Sequence, residues 1–254
     1  MIYELLFSAT GRTEKVLDII SGRWEGEKIR LDLSSPEFDG SRYNITAEDF
    51  CIFATSVFEG RIPAPALQNL KKLTTGGAKM LLVAVFGNRA VDDCLLEMKN
   101  EAERLGFVPV AAIEASVQHS IITKVEASRP DQGDIAELKA FADKVKQLMD
   151  EKIDGQLNVP GNYPYVEMGG VPLKPKGNKN CVNCGLCAAK CPVKAIDKTN
   201  PRLTDKNKCI TCMRCAEICP VDARNFPGFM VGAVHLAMKS KFAGRKPNKL
   251  YIPE

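Results

Sequence analysis

Eight of the ten cysteines of this 254-residue chain fall between Cys181 and Cys219. They are laid out twice in one spacing: CVNCGLCAAKCPVKA at 181–195 realigns on CITCMRCAEICPVDA at 209–223, a shift of 28 residues. Each half reads C-x2-C-x2-C-x3-C-P. Three thiolates spaced by two residues can wrap a loop around one iron–sulfur cubane and meet three of its irons, while the fourth, carried onto a short helix, points to a second cubane. Ligation then crosses over. Cys181, Cys184, Cys187 and Cys219 hold one [4Fe-4S] cluster, and Cys209, Cys212, Cys215 and Cys191 hold the other. Pro192 and Pro220 bend the chain away after the fourth ligand, and Gly185 gives the first loop room to approach the sulfides. Structural zinc is the competing chemistry, but zinc takes two cysteine pairs from separate knuckles, whereas here three close cysteines and a distant fourth are duplicated.

A second candidate site is SATGRT, Ser8 to Thr13, between an apolar run and a helical stretch. At such a junction, backbone N–H groups and the helix dipole favour a dianionic phosphate. The hydroxyls of Ser8, Thr10 and Thr13 add donors, and Gly11 permits the tight turn. A Walker A loop would need Gly-Lys-Ser/Thr and a dinucleotide fingerprint would need G-x-G-x-x-G; neither occurs here. Taken alone, a Ser/Thr-rich turn is also a common helix cap.

The cysteine segment, from about Val171 to Gly228, resembles the bacterial 2[4Fe-4S] ferredoxins, with every ligand position occupied. The Ser8–Thr13 loop resembles the T/S-x-T-G-x-T phosphate motif of flavodoxins, complete at Ser8, Thr10, Gly11 and Thr13. The loops TSVFEGRIP (55–63) and FGNRAVDD (86–93) are similar to the segments that flank the isoalloxazine ring in that family. The resemblance implies FMN, with Arg12, Thr55, Ser56, Val57, Gly60, Gly87, Asn88 and Arg89 around it and Phe58 stacked on the ring. The Trp or Tyr that many flavodoxins place there is missing from both loops. The whole chain resembles anaerobic flavodoxin–ferredoxin fusion proteins, including the segment VPGNYPY at 159–165.

The elements that must position these residues can be read from periodicity. Strands are expected at Ile2 to Phe7, Lys28 to Leu33, Phe50 to Thr55, Lys79 to Phe86 and Phe107 to Ala115, with helices at Thr13 to Ser21, Pro65 to Leu73, Asp92 to Leu105 and Gly133 to Lys152. Strands alternating with helices predict an α/β fold: a doubly wound, five-stranded parallel sheet whose ligand lies beyond the carboxyl ends of the strands. A smaller α+β two-cluster domain follows. The expected division is a flavin domain over 1–152, a Pro/Gly-rich strap over 153–180, a cluster domain over 181–228 and a tail over 229–254. The strap carries Val159, Tyr163, Tyr165 and Val166 among its prolines and glycines, so it is expected to pack rather than to swing free. The tail is expected to form a short helix and an extended end. Asp92 and Asp93 are read as helix N-cap and first-turn carboxylates, His119 and Ser120 as structural polar residues at a strand end that also borders the expected flavin edge, Cys51 and Cys94 as buried unligated thiols, and Trp24 as a packing or surface residue.

Charge divides the chain. Residues 1–150 carry 18 Lys and Arg against 23 Asp and Glu, and residues 151–254 carry 17 against 8. The basic half lacks the aromatic interleaving of a nucleic-acid surface, and its lysines have a nearer task beside anionic thiolate clusters. The start lacks a basic region followed by a long apolar run, and no 18-residue apolar stretch occurs, so a cytoplasmic protein without membrane insertion is expected. The expected role is a relay of electrons between FMN, two clusters and external redox partners, namely flavoproteins or ferredoxin-dependent enzymes; a homodimer is compatible with it. The alternative is a ferredoxin-linked flavin reductase acting on a small substrate. No nucleophile–base pair or nicotinamide fingerprint accompanies either reading.

Overall fold

The computed structural model describes residues 1–151 and 155–254. Strands β1 (Ile2–Phe7), β2 (Lys28–Asp32), β3 (Phe50–Ser56), β4 (Lys79–Phe86) and β5 (Val108–Ser116) run parallel in the order 2-1-3-4-5. That order is the flavodoxin-like form of the doubly wound fold. The composition of each strand follows from its place. Interior strands β1, β3 and β4 are buried on both faces and are near-continuous apolar runs, while the edge strand β2, KIRLD, has only Leu31 buried.

Alternate residues of the strands feed two cores. Leu5, Phe7, Phe53, Met80 and Leu82 meet Leu70 and Leu95 on one face, from helices α2 (Ala64–Leu70) and α3 (Cys94–Arg104). Leu6, Ile52, Leu81 and Val83 meet Val16, Leu17 and Leu138 on the other, from α1 (Arg12–Ser21) and α4 (Gln132–Asp150). Each such fully buried aliphatic side chain stabilises the fold by about 1.5–3 kcal/mol. Trp24 packs tilted on Phe50 in the second core, and Cys51 and Cys94 are fully buried free thiols. The expected end of the last helix at Lys152, and the boundary between 152 and 153, lie outside the described residues.

The sheet differs from the expected five strands. A sixth, β8 (Lys249–Tyr251), adds antiparallel to β5. It belongs to the tail, which is therefore built into the first domain. Buried polar contacts fix it there: Arg129 pairs with Asp134 at 2.6 Å, Asn248 donates to Asp134 at 3.0 Å, and Ser116 N–H donates to Asn248 at 2.9 Å. Arg245 adds ion pairs to Asp131 and Asp134.

Between α4 and β8 lie the strap and the cysteine unit. The strap is packed: Asn162 N–H and Val166 N–H donate to the two carboxylate oxygens of Asp93, Arg61 donates to Val166 O, and Gly170 N–H donates to Glu59. Asp93 thus holds the strap and does not cap α3, where its side chain makes no cap hydrogen bond. The cysteine unit comprises the ribbon β6 (Lys176–Gly177) and β7 (Arg224–Asn225) and two one-turn helices, α5 (Leu186–Ala189) and α6 (Arg214–Glu217). Helix α7 (Gly228–Met238) leads from it back to the sheet. Among the described residues, no helix is long and apolar enough to cross a membrane.

Candidate functional site

The carboxyl edge of the sheet opens into a cavity of about 520 Å3, within the range that small cofactors fill. Its wall begins at the loop between β1 and α1. Gly11 sits there at φ 75°, a left-handed position that spares glycine the usual strain. The first-turn N–H groups of a helix have no partner within it. Ser8 Oγ takes that of Glu14 at 3.2 Å, and Gly11 O takes that of Lys15. Thr10, Arg12 and Thr13 line the cavity beside them, and Thr13 Oγ1 lies 2.8 Å from Ser56 Oγ, tying this loop to the one after β3.

The other two loops supply the rest. Ser56, Val57, Phe58 and Gly60 line the cavity, with Phe58 set edge-on to Phe7 at 5.9 Å between ring centroids. Gly87 and Arg89 line it after β4. A Cβ on Gly87 would stand 2.9 Å from His119 Cα, so only glycine lets the β4 and β5 loops meet. Of the thirteen residues named from the sequence, Ser8, Gly11, Thr55 and Asn88 do not line the cavity. Thr55 is wholly buried. Asn88 faces away, donating to Phe242 O and Gly244 O and accepting from Lys246 N–H, so it anchors the tail.

Several wall residues lie outside the three loops that the motifs mark. Gln118 to Ile122 follow β5, Gly170 to Leu173 come from the strap, and Val234, Met238 and Phe242 come from α7 and the turn after it. His119 Nδ1 accepts the N–H groups of Ile121 and Ile122, and its ring meets Phe242 edge-on. Burial, with Arg12 and Arg89 beside it, lowers its pKa to about 4, so it is a neutral structural group at physiological pH. Most telling are Ile210 and Thr211, which lie inside the second cysteine run and yet line this same cavity.

That run is docked against the phosphate-type loop. Arg214, between Cys212 and Cys215, donates to Ser8 O, to Ala9 O at 3.4 Å and to Ser34 Oγ at 2.6 Å. Ile210 and Cys212 pack on the core of the sheet domain, and Arg12 pairs with Glu217 at 3.1 Å.

The thiols bound cages rather than a point. Cys191 joins Cys209, Cys212 and Cys215 around one small cavity closed by Pro175, Ile196 and Thr204. This is the crossed set. Of the other set, Cys187 feels the charges of Cys181 and Cys184. Cys191 Sγ accepts Ala195 N–H at 3.3 Å and Cys219 Sγ accepts Ala223 N–H at 3.2 Å, the same contact in both halves. Burial pushes the Cys212 thiol up to about 12 and raises Cys187 and Cys215 as well. Clustered thiols become stable thiolates together only around compensating positive charge, which iron supplies. Among the described residues no three His, Cys or carboxylate groups close on a single metal ion. The donor set fits an iron–sulfur cluster, and the first cavity fits a phosphate-bearing planar cofactor.

A flavodoxin-like sheet with a cavity at its carboxyl edge is thus joined to a cysteine-rich unit that encloses a thiol cage. Residues 147–224 match the family model of the 4Fe-4S dicluster domain. A search of curated proteins gives no significant match. Among solved structures, the chain is similar to a flavodoxin of Streptococcus pneumonia TIGR4, with 17% identity and a TM-score of 0.38, over 57% of this chain and 95% of that one. It is also similar to flavodoxin 2 of Bacillus cereus (14%, TM-score 0.39, 57% and 96%) and to Megasphaera elsdenii flavodoxin (15%, TM-score 0.37, 56% and 99%). The strand order, not this likeness, defines the fold.

Proposed function

We propose that the chain is a redox relay. In this reading FMN lies at the carboxyl edge of the sheet, and two [4Fe-4S] clusters are held by Cys181, Cys184, Cys187 and Cys219 and by Cys209, Cys212, Cys215 and Cys191. One observation carries it: Ile210 and Thr211, flanked by cluster cysteines, share a cavity wall with Thr10, Thr13 and Phe58. Bound flavin supplies the exchange between two-electron and one-electron steps. Everything else falls to the chain. The side chains of Thr10, Arg12 and Thr13 and the N–H groups of Arg12 and Thr13 at the start of α1 hold the phosphate, Ser8 and Gly11 shape that loop, and Phe58, Gly60, Gly87 and Arg89 border the ring.

The wall favours a relay over a small-substrate reductase. Gly170 to Leu173 and helix α7 cover the cavity, which restricts a substrate's approach to the ring and leaves the cysteine unit as the route for electrons. The first cysteine run, with Val182 and Leu186 exposed, is the face for external redox proteins in the cytoplasm. Anaerobic purification with iron, sulfide and flavin analysis tests the cofactors. Stopped-flow reduction then tests the relay: bleaching of the clusters by a protein donor should be followed by flavin reduction within the same chain. Two loaded cofactor types that never exchange electrons would sink it.

A further inference from the structure

Arg224 is the largest fully buried side chain of the molecule, 1% exposed, and the relay as described makes no use of it. The 28-residue shift aligns it with Ile196, so a cation stands where the first half has an aliphatic group. Nη1 donates to Pro201 O, and Nη2 donates to Pro175 O and Thr204 Oγ1. Every oxygen it meets is neutral, and Nε has no partner among the described residues. A cation buried in this way is costly unless an anion lies beside it. Two of its acceptor residues, Pro175 and Thr204, line the cavity that Cys191, Cys209, Cys212 and Cys215 enclose.

We propose that Arg224 is the buried counter-cation of the iron–sulfur centre, set against the cage of Cys191, Cys209, Cys212 and Cys215 with its Nε–H kept for a cluster sulfur, and that it raises the reduction potential of the cluster held there above that of its neighbour. A cluster becomes one charge more negative when reduced. Net charge and hydrogen bonds to sulfur are the protein's levers on its potential. Pro175 and Thr204, which take two of its bonds, wall the cage of Cys191, Cys209, Cys212 and Cys215, so both levers bear on that cluster. An electron therefore rests on the cluster whose loop walls the flavin cavity. This inference depends on the two-cluster reading above.

The test is an EPR-monitored redox titration of the whole chain, prepared anaerobically, with iron and sulfide counted on each sample. The unaltered protein should give two cluster midpoints. In Arg224→Met with full iron, the reduced-to-oxidised ratio of the higher-potential cluster at a fixed potential should fall about tenfold, equivalent to about 59 mV for a one-electron couple, while the lower midpoint moves less. Arg224→Lys keeps the charge and loses the fork, and should fall between. Iron-replete variants whose midpoints stay put or move together would overturn the counter-cation role and leave the relay standing. An unaltered protein with iron for one cluster would overturn the two-cluster reading first. If neither variant retains iron, Arg224 is an assembly residue and the tuning role falls.

Discussion

Asn183 and Thr211, Gly185 and Met213, and Lys194 and Asp222 are equivalent across the two cysteine runs, and each pair shares a left-handed turn: φ 57° and 55°, 75° and 64°, 50° and 47°. The residues between the ligands are treated differently. Val182 and Leu186 are 63% and 40% exposed, whereas their counterparts Ile210 and Arg214 are turned into the sheet domain. Met213 accepts a conformation that glycine takes more readily at the same place in the first run. Duplication has kept the backbone that presents sulfur, and the side chains between the sulfurs have divided the labour: one run faces outward and the other forms part of the cavity wall.

The most severe way to break this comparison is to cross it. Cys191→Ser lies in the outward run but belongs to the cage of the inward one, so iron and sulfide should fall by about half and electron transfer into the flavin should stop; loss of the outward cluster instead would refute crossed ligation. Next comes Arg214→Ala. Hydrogen bonds to a charged group contribute about 1.5–3 kcal/mol each; if the equivalent of one of those to Ser8, Ala9 and Ser34 is passed on to the phosphate loop, their removal should weaken FMN binding by about ten- to a hundredfold, at about 1.4 kcal/mol per tenfold. The equivalent Leu186→Ala should leave it unchanged in a fluorescence titration of the flavin-free protein.

Acid should act on the inward side through His119. Its folded pKa, about 4, lies below the ordinary 6.5, so the unfolded chain binds more protons between these values. The stability it contributes is fully present above pH 6.5 and is lost as pH falls towards 4. Asp134, lowered to about 2 from 3.8 despite burial by its bonds to Arg129, Asp131 and Asn248, adds a second loss between about 3.8 and 2 that loosens the tail. Urea melts across this range should show both, and His119→Gln should flatten the upper one.

Salt is the smallest lever. The opposite charges of the two halves suggest electrostatic docking, yet among the described residues the ion pairs between the cysteine unit and the sheet domain are Lys194 with Glu37 and Arg12 with Glu217, and the second runs against the overall division. Such pairs contribute about 0.2–1 kcal/mol. Internal transfer rates should therefore change by less than about twofold on adding salt, because Arg214 and Ile210 hold the interface. A steep salt dependence would return docking to the charge asymmetry.

Local pattern was enough to read β1 and β4 to the residue, because a strand buried on both faces has to be an unbroken apolar run. It also groups Cys191 with Cys209, Cys212 and Cys215, which share one cavity. The cavity was half legible. Thr10, Thr13, Ser56, Phe58 and Gly87 follow strands whose carboxyl ends are predictable. Asn88 and Asp93 belong to the same loops but serve the tail and the strap, more than sixty residues away in sequence. No periodicity encodes such partners. Ile210 and Arg214 were hidden for the same reason, and Arg224 became visible only once its aliphatic equivalent, Ile196, could be set against it.

Because β8 returns to β5 after the cysteine unit, that unit is moored to a single sheet fore and aft. A carrier on one flexible tether delivers its cofactor by swinging, and its pace follows the friction of the solvent. Here a swing would have to peel a strand from the sheet. The gap that an electron crosses is thereby a constant of construction, like the spacing of contacts in a sealed switch, and only the outer partner has to arrive by diffusion.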